Sequence, residues 1–425
     1  MALAQDAPKQ GFRLSMLVYD TRYRALTIQV FVLVLVAAFF AWLLNNTIQN
    51  LAIRGKEFDY GFLWQRAGYD IGQHLIPYTN DSTHFRALLV GLLNTLAVAV
   101  LGCLFATVIG VMVGILRLSN NWLIGRMMTV YVEVLRNVPV LLWILLAYVL
   151  LSEVTPQPKD FKLTDDMVAQ GIAPKAEMLL GGTMAITNRG TNIPAPVVAH
   201  DLGAVELAGL SVNLTALAFL GVILASIWVN RRMQGWAKAR QDATGVRPRL
   251  WWATVMILFG PVVALSIALG LHVEIPELKG FNFRGGILVA HSFTALLVAL
   301  VLYTSAFIAE IVRAGIMAVG RGQSEAAFAL GLRPGRTMQL VVLPQALRVI
   351  IPPLISQYLN ITKNTSLGIA VSYLDLRGTL GGISLNQTGR ELECMLLMMA
   401  IYLTLSLITS SVMNFYNRTV QLKGR

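Results

Sequence analysis

"SEAAFALGLRPGRTMQLVVLP", from Ser324 to Pro344, is a short helical pattern broken by glycine and proline. Ser324 has the side chain of an N-cap. Glu325, Ala326 and Ala327 follow as helix formers, with Glu325 in the first turn, where the helix dipole favours a carboxylate. Gly331 suits the left-handed residue that ends such a helix, and Pro334 opposes its continuation. The expectation is a helix of about two turns from Ser324 to Leu330, a sharp corner, and a chain returning to an apolar span at Leu343 and Pro344. The two small alanines leave a flat face that another protein can approach closely.

The segments on either side explain why such a helix is out of place. The chain has 425 residues, of which 56% are hydrophobic and 13% charged, about half the charged fraction of a soluble globular chain. Charges bracket long apolar runs at Ala25 to Ile53, Ala87 to Leu116, Leu207 to Asn230, Leu250 to Leu271 and Cys394 to Asn417. Three further runs carry isolated charges: Met127 to Ser152, Gly285 to Val319 and Val349 to Leu374. Each is long enough for a bilayer-spanning helix of roughly 20 residues. No alternating ten-residue pattern suggests a barrel, so the fold class is an all-α membrane protein with about eight transmembrane helices.

The net charge of +12 would raise the question of nucleic acid in a soluble protein. Its distribution answers otherwise. With both termini cytoplasmic, the cytoplasmic segments hold 19 of the 34 basic residues and 4 of the 22 acidic ones, and the exterior segments hold 12 and 16. That is the asymmetry of a multi-pass membrane protein whose basic loops stay inside. The loop "RRMQGWAKARQDATGVRPR", Arg231 to Arg249, contributes most; contact with anionic lipid is open to it, but topology alone accounts for it. The first span is too long for a signal-peptide core and reads as an uncleaved anchor. Cys103 and Cys394 lie in predicted helices with no spacing that indicates a disulfide framework or a metal site.

Polar content divides the spans. The fourth and fifth are nearly free of polar groups and read as lipid-facing or supporting. The second, third, sixth, seventh and eighth form a five-helix core, decorated by three accessory helices. Along the chain this gives a tail, accessory helix and exterior loop over 1–86, a first part of the core over 87–153, an insert over 154–286, and a second part of the core over 287–425 that includes the loop 320–345. "GVMVG", Gly110 to Gly114, is a spacing for close helix approach within the chain.

Charges inside spans normally face protein or water. In "YVEVLRNVP", Glu133 and Arg136 are three apart and able to neutralise each other; Glu310 and Arg313 repeat the spacing in "FIAEIVRAG". Both pairs fall toward the cytoplasmic ends of their helices and read either as packing salt bridges or as a polar inner gate. In "SQYLNITKNTSLG", Gln357, Asn360 and Asn364 share one helical side with Lys363 beside them and Thr365 and Ser366 following. We read this as a face lining a translocation pathway. Lys363 can attract a carboxylate, and the amides and hydroxyls supply donors and acceptors, an inventory suited to a zwitterionic amino acid.

The spacing Glu325-Ala326-Ala327, three residues, Gly331, nine residues, then Val341-Val342-Leu343-Pro344 resembles the EAA motif of bacterial ABC importer permeases, with Val341 where isoleucine is usual. "LLVGLLNTLAVAVLG", "YVEVLRNVPVLL", "FIAEIVRAGI" and "LPQALRVIIPPLISQYLNITKNTSL" are similar to the polar amino acid (histidine/glutamate/glutamine/arginine) permease family. The insert departs from its short five-helix members and looks like the larger permease subunits of general L-amino-acid, or glutamate/glutamine/aspartate/asparagine, uptake systems. The resemblance implies that Ser324 to Leu330 is the coupling helix, with Gly331, Leu343 and Pro344 completing its motif. It also implies a cytoplasmic ATP-binding subunit dimer, a second homologous permease forming a heterodimer, a periplasmic amino acid binding protein, and residence in the bacterial inner membrane. No G-x-x-x-x-G-K-[ST] loop, zinc-ligand spacing or G-x-S-x-G turn occurs, so no catalytic or metal residue is assigned and ATP and magnesium are expected on the partner subunit. The alternative is an ion-coupled secondary amino acid transporter using Glu133, Glu310 and Lys363, which leaves the EAA spacing unexplained.

Overall fold

The computed structural model describes residues 21–53, 58–163, 174–207, 210–246 and 248–420. The tail before Thr21, part of the loop after Leu163 and the last five residues lie outside these. The chain divides into two compact units, Met1–Phe62 and Leu63–Arg425. The first holds α1 (Thr21–Ile53), long enough to cross a bilayer with some tilt.

In the second unit, α2 (His84–Leu116) starts at Thr83, whose hydroxyl accepts the Arg86 N–H at 3.3 Å. Next comes α3 (Trp122–Asn137), capped by Asn121, whose side chain accepts from the Leu123 and Ile124 amides at 3.0 and 3.2 Å. A second helix, α4 (Val140–Val149), follows it and continues to Val154 as a π-helical turn. The expected third span is therefore two helices bent by 101°. Pro139 causes the break: it lacks an amide hydrogen and holds Val138 extended at φ −104° and ψ 134°,.

The remaining helices are α5 (Leu214–Thr244), α6 (Trp251–Ala268), α7 (His291–Met317), α8 (Arg321–Ala329), α9 (Leu343–Asn364) and α10 (Glu391–Val420). Among the described residues seven helices are long and apolar enough to cross a membrane, and the bent α3–α4 pair makes eight.

Two boundaries differ from the sequence reading for physical reasons. α5 does not stop at Asn230 but carries the basic stretch as helix to Thr244. That stretch is rich in helix formers and free of proline, and it ends only where Gly245 turns left-handed at φ 72°,. The seventh span does not begin at Val349. Its helical column starts at Pro334 and passes through a π-helical stretch at Met338–Val342, α9 and a 3-10 stretch at Thr365–Val371. The proline expected as a stop is a start, because its missing amide falls at a helix position that needs no donor.

Nine short strands lie between α4 and α7: β1 (Ala185–Thr187), β2 (Gly190–Ile193), β3 (Ala195–Val198), β4 (Ala204–Leu207), β5 (Leu210–Asn213), β6 (Leu271–Glu274), β7 (Glu277–Lys279), β8 (Asn282–Arg284) and β9 (Ile287–Val289). They pair antiparallel as β1-β2-β9, β3-β6, β4-β5 and β7-β8. In this way the chain before α5 is stitched to the chain after α6. Leu207, Leu210–Asn213 and Ile287–Val289, read as parts of spans, lie in β4, β5 and β9 instead.

Burial separates core from accessory helices. The apolar window of α7 is 61% buried, that of α2 33%, and that of α6 not at all. α7 is the axis, packing on α2, α3, α4 and α9, whereas α5 and α6 pack chiefly on each other. Ala106, Ile308, Val312, Ala346, Ile350 and Ile361 form one apolar cluster of this core. The glycine spacing of α2 lets the backbones meet. A Cβ on Gly110 would stand 2.6 Å from Ile308 Cβ, and one on Gly114 would stand 2.7 Å from the Ala309 carbonyl oxygen. The glycines thus serve packing within the chain, as expected.

Candidate coupling and translocation sites

α8 begins at Arg321 with Gly320 as its N-cap, three residues before Ser324. Ser324 is a half-buried interior residue and does not cap the helix. Gly320 takes the extended conformation at φ −59° and ψ 138°, and Arg321, Gly322 and Gln323 are already helical. The far end forms as expected. Gly331 is left-handed at φ 77°. The Gly331 amide donates to the Phe328 carbonyl at 2.9 Å, and the Leu332 amide to the Ala327 carbonyl at 3.1 Å, the paired closure that satisfies the last carbonyls of a helix.

Ala327 is buried while Glu325, Ala326, Phe328, Ala329 and Leu330 are exposed. Leu330, the C-cap of α8, keeps 83% of its surface open. α8 packs beside Met338–Val342, and Gln345 Nε2 donates to Gln323 Oε1 at 3.3 Å. Leu343 and Pro344 open α9 as its first residues, inside a helical column rather than at a re-entry point.

One to two turns before the end of α7, Glu310 pairs with Arg313 at 2.5 Å and with Arg117 at the C-cap of α2. Arg117 also faces Glu133 of α3 at 3.9 Å, and its Nε donates to Thr129 Oγ1 at 3.2 Å. The Glu310–Arg313 pair is as expected; the Glu133–Arg136 pair does not form. Arg136 lies over the Phe307 ring, 4.9 Å from its centroid, with its buried Nε unpartnered. The aromatic face attracts the guanidinium, and Glu133 turns toward Arg117 instead. Arg117, one residue past the end of the expected second span, is the residue that joins α2, α3 and α7. The signal was present: it follows Gly114 by three and Gly110 by seven, on the same helical face that meets α7.

On α9 and its continuation, Ser356, Asn360 and Lys363 are exposed with Pro352 and Pro353 along one face, flanked by half-buried Gln357 and Asn364. Among the described residues Lys363 has no ion-pair partner. Ser366 is half-buried and donates to the Lys363 carbonyl at 2.8 Å. Thr365 is a correction to the expected face. It is fully buried and donates to the Thr362 carbonyl at 3.0 Å and to Asp375 Oδ2 at 3.3 Å. A short hydroxyl beside its own backbone turns inward when a buried acceptor awaits it.

Asp375, in the turn between the α9 column and α10, was missed by the sequence reading. It is buried, accepting the Gly378 amide at 2.9 Å and the Tyr402 hydroxyl at 3.1 Å as well as Thr365. The same turn is fixed to α2: Asn94 Nδ2 donates to the Leu374 carbonyl at 2.9 Å, the Tyr373 hydroxyl to the Asn94 carbonyl at 3.1 Å, and the Leu376 amide to Thr95 Oγ1 at 3.1 Å.

Residues 218–422 match the family described as binding-protein-dependent transport system inner membrane component. The chain is 64% identical over 426 residues to the glutamate/glutamine/aspartate/asparagine transport system permease protein BztB of Rhodobacter capsulatus, covering 100% of both chains. It is 43% identical to the general L-amino acid transport system permease protein AapQ of Rhizobium johnstonii, over 98% of this chain and 96% of the other. A putative amino-acid ABC transporter permease protein of Escherichia coli, YhdX, is 39% identical over 95% of each. These likenesses leave the ion-coupled alternative without support. With two thirds of its residues shared with one such permease along its whole length, and its exposed, glycine-closed α8 carrying the EAA spacing, the chain belongs to the family of amino-acid ABC transporter permeases.

Proposed function

We propose that this chain is the permease subunit of an ATP-driven importer of acidic and amide L-amino acids and that α8 is the element through which the motor acts. The observation that carries this reading is α8 itself. It is a short helix tied off at Gly331, with small and apolar side chains facing outward and a buried Ala327 anchoring it to the column that continues as α9. A separate ATP-binding subunit, which would hold ATP and magnesium, seats this helix in a groove. Closure of the ATP-binding dimer displaces α8, and the displacement passes directly to the Pro334–Val371 column.

In this reading the termini and α8 are cytoplasmic, and the strands between α4 and α7 face the periplasm, where a binding protein delivers substrate. The exposed face of α9 meets a second, homologous permease, and the passage lies between the two. There Lys363 attracts the substrate carboxylate, while Asn360, Gln357 and Asn364 offer donors and acceptors. Glu310, Arg313, Glu133 and Arg117 tie three helices at the inner mouth, where an ion network can hold one of two arrangements.

Co-purification from native membranes tests the reading. A Cβ at Gly331 meets nothing within 4 Å, so Gly331→Asp leaves the rest of the chain folded while straining and charging the end of α8. Mass spectrometry is expected to find an ATP-binding subunit with the unmodified chain and to find it depleted with the variant. Equal recovery from both would remove α8 from the contact. Lys363→Ala is expected to assemble normally and import slowly; unchanged uptake would take Lys363 out of the passage.

A further inference from the structure

The helical continuation of α5 has chemistry that transport does not use. Trp228, Arg232, Trp236 and Arg240 recur every four residues and form one exposed stripe where α5 runs past the length of the membrane. Arg232 stands 5.2 Å from the Trp228 ring centroid and Arg240 5.3 Å from that of Trp236. Helical side chains lean toward the N-terminus, and the N-terminal half of α5 is its apolar half. Both guanidinium groups therefore reach back along the helix toward the bilayer, each lying over an aromatic face that orients it.

The level of the stripe is fixed by α6. Gln234 Nε2 donates to Thr254 Oγ1 at 2.9 Å, so Gln234 stands beside the first turn of α6, where Trp251 and Trp252 pack with centroids 6.3 Å apart. Tryptophan pairs of this kind mark the headgroup level. Lys238 and Arg249 add exposed cations, against the single acid Asp242. The hairpin end thus combines an indole belt at the boundary with cations just beyond it.

We propose that the Trp228–Arg240 stripe of α5 is a binding site for anionic phospholipids, their phosphate groups held by Arg232 and Arg240 and their glycerol region packed on Trp228 and Trp236. The site is on the accessory hairpin, away from α8 and the polar face of α9, and it holds whether or not the chain imports amino acids. A planar guanidinium presents paired donors to phosphate oxygens, which an ammonium does not, and the basic cluster draws anionic headgroups over neutral ones.

The test uses the full chain reconstituted into phosphatidylcholine vesicles in which a minor fraction is brominated phosphatidylglycerol or, in parallel, the same fraction of brominated phosphatidylcholine. Bromine quenches nearby indoles. Quenching by the anionic lipid is expected to exceed quenching by the neutral one, and Trp228→Phe with Trp236→Phe to remove the excess. Combining Arg232→Gln and Arg240→Gln is expected to weaken the preference roughly fivefold per cation removed. Equal quenching of the unmodified chain by the two lipids overturns the proposal without need of any variant. An excess that survives the double substitution overturns it as well. So does a double variant that keeps its lipid preference but loses a co-purifying protein, which would assign the stripe to a protein partner.

Discussion

The guanidinium of Arg117 stands between two carboxylates, Glu310 on α7 and Glu133 on α3, with only 13% of its side chain open to solvent. Its worth is not the sum of two ion pairs, because taking such groups out of water offsets much of the attraction. Removing the cation is a different matter. Arg117→Met leaves Glu133 without its cation and Glu310 with Arg313 alone, and is expected to destabilise the chain by about 1–3 kcal/mol. A drop in the thermal unfolding midpoint of the purified protein checks this, and Arg117→Lys should recover part of it.

Asp375 is a test of a different kind. Asp375→Leu leaves the Gly378 amide and the Tyr402 and Thr365 hydroxyls without their shared acceptor and is expected to cost about 1–3 kcal/mol. Asp375→Asn keeps an acceptor for the Gly378 amide and is expected to recover part of that loss. Equal unfolding midpoints for the unmodified protein and Asp375→Leu would sink the idea.

Between elements, the α2–α7 contact is the most extensive in the core. Gly114→Leu drives a side chain against the Ala309 carbonyl, which cannot move aside because it is backbone. The expected cost is roughly 1–3 kcal/mol, read as reduced yield and a lower unfolding midpoint, with Gly260→Leu on α6, where a Cβ meets nothing within 4 Å, as the tolerated control. The helices themselves were legible in the sequence, since charge-free length and a GxxxG spacing report directly on lipid and close packing. What the residues did not disclose was direction and partner. Glu133 and Arg136 have the spacing of a pair, yet Phe307 on another helix captures the arginine. Thr365 has the composition of a pathway residue, yet Asp375, ten positions later, draws it inward. Pro334 and Pro139 look alike as helix breakers, and only the surrounding chain makes one a start and the other a bend. The end of α8 was readable because Gly331 alone determines it; its beginning was not, because a glycine cap has no side-chain signature.

Across the whole molecule, an even number of spans separates α8 from the α5–α6 tip, so the two belong to one side of the membrane and the β7–β8 turn to the other. In a Cys103→Ser, Cys394→Ser background, a thiol reagent that cannot cross membranes is expected to label Gly280→Cys in intact cells and to reach Gly245→Cys only after the membrane is opened. Labelling of both from outside would refute the arrangement. The strand register has a separate consequence for how such a chain came to be. Ile193 and Ile287 are opposed partners of β2 and β9, so the backbone leaving the bundle and the backbone re-entering it are neighbours at about 5 Å. Residues 194–286, with both α5 and α6, therefore behave as a cassette spliced between adjacent chain ends. A two-residue turn could close the gap after excision, and because two spans leave together, every remaining helix keeps its orientation. Insertions with this geometry can be gained or lost in one genetic event without refolding the host. That gives a physical route by which long and short permeases share one core.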